Sequence, residues 1–181
     1  MKWKLPIWLC VVISLALVIF GLVFGTVRGF RDEQAQVTAC LESENGLLDV
    51  LSYRGADGLN LCVVAKRHLA DDDEDVAALE TAARGLQSAQ TGLQEKKESD
   101  AQLESAAARV SRKLKASESF QQSQRDQKYL DMLLSDMQNL SGSAAADAYN
   151  QAAESFNELL GAPVTGKLAE LLGVKPCALY Q

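Results

Sequence analysis

Leu5–Val27 reads LPIWLCVVISLALVIFGLVFGTV, 23 residues without a charge. At about 1.5 Å of rise per residue, such a run reaches about 34 Å as a helix, enough to cross a hydrocarbon core of about 30 Å. Its two hydroxyls, Ser14 and Thr26, can bond back to the helix's own carbonyls, so lipid would leave no polar group unsatisfied. Trp3 and Trp8 stand at the N-terminal end, where amphipathic rings favour a membrane interface. The stretch predicts a membrane anchor over residues 1–27, followed by a helical bundle over 28–181. The competing reading is a cleaved export signal that releases a helical binding domain. Against it, the run exceeds the usual apolar core of about 7–15 residues. Its exit, Gly25-Thr26-Val27-Arg28-Gly29, also offers no A-x-A-like processing site.

Working outward, charge divides sharply at the anchor. Lys2 and Lys4 precede it and all 24 acidic residues follow it; the other sixteen of 18 basic residues also follow, so the bundle carries a net charge of −8. Such a surface repels nucleic acid, which is excluded as a partner, and does not favour spreading on anionic lipid. Lys2 and Lys4 on one side balance Arg28 and Arg31 on the other, so the flanking charges assign the bundle to neither face of the membrane. Ala, Leu, Gln, Glu and Lys dominate beyond the anchor, a composition that favours long helices. Cysteines stand at positions 10, 40, 62 and 177, none in a C-x-x-C pair, and three in the bundle leave one over from any bridge.

Within the anchor, Gly21, Gly25 and Gly29 recur every four residues and share one helix face, a candidate face for a membrane dimer. Beyond it, Val37, Leu41, Leu48 and Leu51 keep helical spacing, so the spanning helix is expected to continue into the bundle. The glycines of Tyr53–Gly58 predict a turn, with a second helix from about Leu59 carrying Val76, Leu79, Ala83, Leu86 and Leu93 on one stripe. Gly92 and the charged run Glu95–Glu98 mark its expected end. A third helix carries Leu103, Ala107, Val110 and Leu114, then resumes out of phase at Leu130, Leu133, Met137 and Leu140 after the polar stretch 121–128. Ser141-Gly142-Ser143 predicts a stop, with Ser143 an N-cap for a fourth helix that places Tyr149, Ala152, Phe156 and Leu159 on one face. Pro163 ends that helix, and Gly173 closes a short last one from about Thr165. The expected fold is all-α: an N-terminal transmembrane helix continuing into an antiparallel up-down bundle of about four long helices. The breaks in phase disfavour one extended coiled coil.

Candidate chemistry is sparse. Asp71–Asp75 alternates like a calcium loop, but the sixth position, where that loop needs glycine, is Val76. A solvated segment ahead of a helix start explains the run better. His68, the one histidine, lies about 240° around a helix from Cys62, and neighbouring residues supply no Ser-His-Asp or Cys-His set. Arg109, Arg112, Lys113 and Lys115 read as a solvated basic face. No catalytic residue, cofactor site or metal site is expected.

The C-terminal half resembles the LemA family of membrane-anchored bacterial proteins. Leu114-Lys115-Ala116 with Phe120 is similar to that family's L-K-A-x-x-x-F. Tyr149-Asn150 and Phe156-Asn157 are similar to its Y-N-x-x-V-x-x-Y-N, with Phe for the second Tyr. Ala162-Pro163 stands where the family has F-P, and Gly173-Val174-Lys175-Pro176 resembles its terminal G-F-K-P. Asp49-Val50, Arg54, Asp57 and Asn60-Leu61 echo its I-D-V-x-x-x-R-x-D-x-x-P-N-L without the proline. The resemblance implies an anchored helical bundle and no established catalysis or cofactor. The rings of Tyr149 and Phe156 read as core, and Asn150 and Asn157 as bonding helix ends or neighbouring helices. The expected function is therefore docking or scaffolding at the plasma (inner) membrane. The expected partners are the bilayer, a membrane or envelope protein, and a second copy of the chain.

Overall fold

A computed structural model describes residues 6–141 and 144–180. Leu5 of the anchor, with Lys2, Trp3 and Lys4 before it, and the expected stop and cap at Gly142 and Ser143 lie outside the described residues. The described chain is all-α: α1 (Ile7–Glu42), α2 (Leu47–Ala65), α3 (Glu74–Gln87), α4 (Leu93–Ala116), α5 (Glu118–Gln121), α6 (Gln124–Ser141), α7 (Ala145–Leu160) and α8 (Thr165–Leu171). It divides into two compact units. One holds the chain up to Thr38 with Ala152–Cys177; the other holds Ala39–Gln151 with the residues from Ala178 onward.

In the second unit α2, α3, α4 and α6 pack as a bundle. Register follows from the contacts. Cys62 Sγ lies 3.8 Å from the Val76 carbonyl, whereas a Cβ on Gly55 would touch Ala83 and Leu86, so α2 and α3 run antiparallel. Arg109 meets Asp75 and Lys113 meets Asp73, while Lys96 reaches the end of α3, so α4 runs antiparallel to α3. The apolar stripes read from spacing supply the core: Leu79, Ala83, Leu86, Leu103, Ala107, Val110, Leu114, Leu130 and Leu133 are buried.

Several boundaries differ from the sequence expectation, each for a local reason. The helix from the anchor does not continue into α2. It stops at Glu42, where Asn45 takes a left-handed φ of 64° and the Gly46 amide turns back to the Ser43 carbonyl. Asp49 then accepts from the Asn45 amide at 3.0 Å and fixes the start of α2. Conversely, Tyr53–Gly58 is no turn but the middle of α2. Gly55 and Gly58 are notches: a Cβ on Gly58 would lie 2.5 Å from Leu103 Cδ1 and 3.0 Å from Ala83 Cβ. Val76–Leu86 forms its own helix, α3, and Gly92 starts a helix rather than ending one. Glu95 reaches back to the Gly92 amide at 3.3 Å, so the charged run forms the first turn and a half of α4.

The first unit joins α1 to the second half of α7, α8 and the following tail. Phe30 and Phe156 meet edge-on with ring centroids 6.5 Å apart, and Val37, Ala153, Leu160, Ala169 and Val174 are buried. The buried stripe of α7 is thus Tyr149, Ala153, Phe156 and Leu160. Ala152 is half-buried and Leu159 exposed, so the face is rotated by one residue from the expected one. Two residues past the end of α8 stands Gly173, whose φ of 90° favours glycine; its amide donates to Glu170 and that of Val174 to Ala169.

Candidate functional site

α1 presents the most distinctive surface. Between Ile7 and Phe24 its large apolar side chains, Leu9 and Val23 apart, stand exposed, Leu17 and Phe20 by 66% and 67%, on a helix long and apolar enough to cross a membrane. Val27, the last residue of the expected anchor, is half-covered. From Val23 the less exposed positions are 23, 26, 27, 30, 34 and 37, a helical stripe on one side of α1. Gly21, Gly25 and Gly29 lie off it. A Cβ at any of the three would meet nothing within 4 Å, so the glycine face is open within the monomer.

The motif residues of α7 hold the C-terminal tail. Asn157 donates Nδ2–H to the Cys177 carbonyl and accepts the Cys177 amide, both at 2.8 Å. Asn150 makes the same two-way bridge to Tyr180, again at 2.8 Å for each bond, and Tyr149 donates its phenol to the Ala178 carbonyl. The spacing explains the fit. Seven residues of helix rise about 10.5 Å, and three residues of extended chain span about 10 Å. An amide side chain imitates a strand edge, offering one donor and one acceptor to a backbone that belongs to no sheet. The asparagines therefore bond an extended tail, not helix ends or neighbouring helices. Of the other motif residues, Pro163 is exposed in the turn between α7 and α8, and Gly173 makes the turn into the tail.

Tyr180 continues into a buried polar group. Its phenol donates to Asp100 Oδ2 at 3.4 Å, and Asp100 Oδ1 lies 2.9 Å from Arg54 Nε. Arg54 is only 4% exposed, and the pair is an ion contact without an aligned hydrogen bond. Burial pushes the Asp100 carboxyl up, which Arg54 only partly offsets; burial and then Asp100 push the Tyr180 phenol up. Asp57, one turn from Arg54, is raised by burial and then by Asp136.

Sequence reasoning missed a second cluster. His68 Nε2 lies 2.8 Å from Asp126 Oδ2 and its Nδ1 lies 3.0 Å from Ser119 Oγ, while Arg67 holds the other oxygen of Asp126 at 2.9 Å. These partners are 58, 51 and 59 residues apart, so no local pattern could announce them. A Ser-His-Asp set does form in space. However, Ser119 also bonds Ser117, Asp126 is shared with Arg67, and the Phe120 ring stands edge-on to the imidazole at 5.4 Å. The hollow of about 450 Å³ beside α5 is walled by Phe120 and Gln127, with no contribution from Ser119 or His68. The geometry supplies a joint that ties the residues after α2 to α5 and α6. The hydrogen bond from His68 holds Asp126 below the ordinary carboxylate range, with smaller help from Ser123 and Arg67.

The acidic run is partly paired rather than wholly solvated. Asp73 caps α3 through the amides of Asp75 and Val76, and its carboxylate also receives Lys113; Asp75 receives Arg109 and Lys113. Arg109 and Lys113 are thus cross-helix partners, while Asp71, Asp72, Arg112 and Lys115 remain exposed. Among the described residues no group of three or more His, Cys, Asp or Glu side chains is placed to hold a metal ion. Fold and surface define a class: an all-α protein whose N-terminal helix is long and apolar enough to cross a membrane. Compared with family models, curated proteins and solved structures, the chain matches none of them.

Proposed function

We propose that this chain is a single-pass membrane protein of the LemA type. In this reading α1 crosses the plasma (inner) membrane, and the acidic bundle serves as a non-catalytic docking or scaffolding module. The observation that carries it is the exposed apolar stretch of α1, which passes without a break into Phe30 and Val37, where the same helix packs. Twelve large apolar side chains exposed between Ile7 and Phe24 are unfavourable in water and favourable in lipid. Because the helix is continuous from Ile7 to Glu42, no flexible linker separates the span from the packed segment. Confinement at the bilayer raises the effective concentration for a membrane or envelope protein partner. Asn150, Asn157 and Tyr149, the residues that resemble the LemA motif, hold the C-terminal tail.

The test is extraction of native membranes at alkaline pH with intact-mass measurement. Retention in the pellet at full mass is expected, and loss of about 25 N-terminal residues would overturn the anchor in favour of export. Proteolysis of a C-terminally tagged chain in intact and opened cells then assigns the bundle's side of the membrane. A second reading, self-association through the anchor, is favoured by the open face of Gly21, Gly25 and Gly29. Crosslinking in native membranes separates the two, because a lone homodimer band points to the second.

A further inference from the structure

We infer that α8 and its flanks form a second, peripheral membrane contact that rests in the lipid headgroup boundary beside the span. The inference depends on α1 crossing the bilayer. α8 is apolar on two opposite faces. Gly166 and Ala169 face inward and are buried, and a Cβ on Gly166 would collide with the Leu160 carbonyl, so this side is closed against the end of α7. The opposite side, at helical steps of four, three and one, carries Val164, Leu168, Leu171 and Leu172. Val164 is 77% exposed, Leu171 82% and Leu172 42%. A helix with one face already packed would normally turn charge outward. Here large aliphatic side chains take that place.

What covers them is indicated by their neighbours. Leu172 shares a hollow of about 430 Å³ with Phe20, Phe24 and Val27 of α1 and, further along the same helix, with Arg28, Arg31 and Asp32, the last paired with Arg28 at 4.0 Å. The exposed patch is therefore continuous with the lower, uncharged part of α1 and lies where that stretch gives way to arginine. In a bilayer this level is the boundary between acyl chains and headgroups. Lys167 on α8 and Lys175 just after it are exposed and, with Arg28 and Arg31, can extend to phosphates while their stems lie along the chains. Glu170 is the opposing exposed charge on α8. A boundary helix with aliphatic residues towards the chains and basic residues towards the headgroups suits lipid better than a protein groove.

The experiment uses the full chain with Trp3→Phe and Trp8→Phe, reconstituted in phosphatidylcholine vesicles whose acyl chains carry bromine either near the glycerol or at mid-chain. Single tryptophans are then introduced as Leu171→Trp, Val164→Trp, Leu17→Trp as a span reference, and Tyr129→Trp as an aqueous reference on α6. Expected is a blue-shifted Leu171→Trp emission quenched more by bromine near the glycerol than at mid-chain, Val164→Trp in parallel, and no quenching of Tyr129→Trp. Leu17→Trp should be quenched by mid-chain bromine. Quenching of Leu17→Trp without quenching of Leu171→Trp or Val164→Trp overturns this inference and leaves the span intact. A blue-shifted but unquenched Leu171→Trp also overturns it, in favour of a second copy of the chain covering α8. If Leu17→Trp is unquenched, the span itself fails and the inference with it.

Discussion

Gly55→Ala is the substitution that tests the close contact between α2 and α3. Gly55 sits in the middle of α2, where an added Cβ would lie 2.8 Å from the Ala83 carbonyl oxygen, 3.0 Å from Gln87 Cγ and 3.2 Å from Leu86 Cβ. Only Gln87 Cγ can shift with its side chain; the Ala83 carbonyl and Leu86 Cβ are fixed to the backbone of α3 and move only if the helices separate. Overpacking of this kind costs about 1–3 kcal/mol. Against it stands the better helix propensity of alanine, worth about 1 kcal/mol in a helix interior. With two backbone-fixed contacts the overpacking cost lies in the upper half of its range, about 2–3 kcal/mol, so the net is a destabilisation of about 1–2 kcal/mol, or a thermal midpoint lower by roughly 3–8 °C for a domain of this size. Gly58→Ala should also destabilise, because its Cβ would meet the buried Leu103 Cδ1 at 2.5 Å and the backbone-fixed Ala83 Cβ at 3.0 Å. Gly29→Ala is the control: nothing lies within 4 Å, so only the propensity gain remains and the midpoint should hold or rise. The assay is thermal unfolding of the full chain in detergent, followed by circular dichroism. A Gly55→Ala midpoint equal to or above that of the parent chain would refute the notch and the close α2–α3 contact.

Asn157→Ala removes two neutral hydrogen bonds to Cys177 and should cost about 2 kcal/mol at about 1 kcal/mol each. Faster hydrogen exchange of the tail amides and quicker trimming by carboxypeptidase would report it, and unchanged exchange would show that the tail is held otherwise. Arg54→Ala strands the buried Asp100 and should cost about 3 kcal/mol or more, whereas Arg54→Met with Asp100→Leu should recover most of the loss in the same unfolding assay. Glu80 is held at about 2, below its ordinary 4.5, by hydrogen bonds first from Lys66 and then from Arg84. A carboxyl depressed by folding contributes stability that is full above 4.5 and lost as pH falls towards 2. Glu80→Gln should therefore flatten the acid limb of a stability–pH curve across that window. Salt should shrink the difference, since the group faces solvent.

How much of this was legible beforehand depended on the range of the interaction. The stripes through Leu79–Leu86, Leu103–Leu114 and Leu130–Met137 were readable because helical period repeats within a few residues. Gly173 was readable because a left-handed helix end selects glycine on local sterics alone. The glycines at 55 and 58 misled for a physical reason: a missing Cβ either frees a turn or admits a neighbour, and only the neighbour, Ala83 or Leu103, distinguishes the two. The break at Ser43–Gly46 is not evident from spacing, which runs on through Leu41, Leu48 and Leu51, and Asn45 is a less specific mark of positive φ than glycine. Asn150 and Asn157 stand out only through the motif they resemble. Their partners, the backbone groups of Tyr180 and Cys177, do not stand out, because any extended segment offers the same donors and acceptors.

The chain's own order of residues determines that it is helical and where its apolar faces fall. It also determines that its first helix carries more uncharged length than a bilayer's core requires, since these properties rest on spacing and on the transfer of side chains from water. Tertiary structure alone decided that Arg54 and Asp100 meet under cover, that His68 is bonded between Ser119 and Asp126, and that α8 turns leucines outward beside α1. Each of those depends on which distant segments come within a few ångströms. Hydrogen bonds and ion pairs are short-ranged, and a linear sequence carries no measure of that distance.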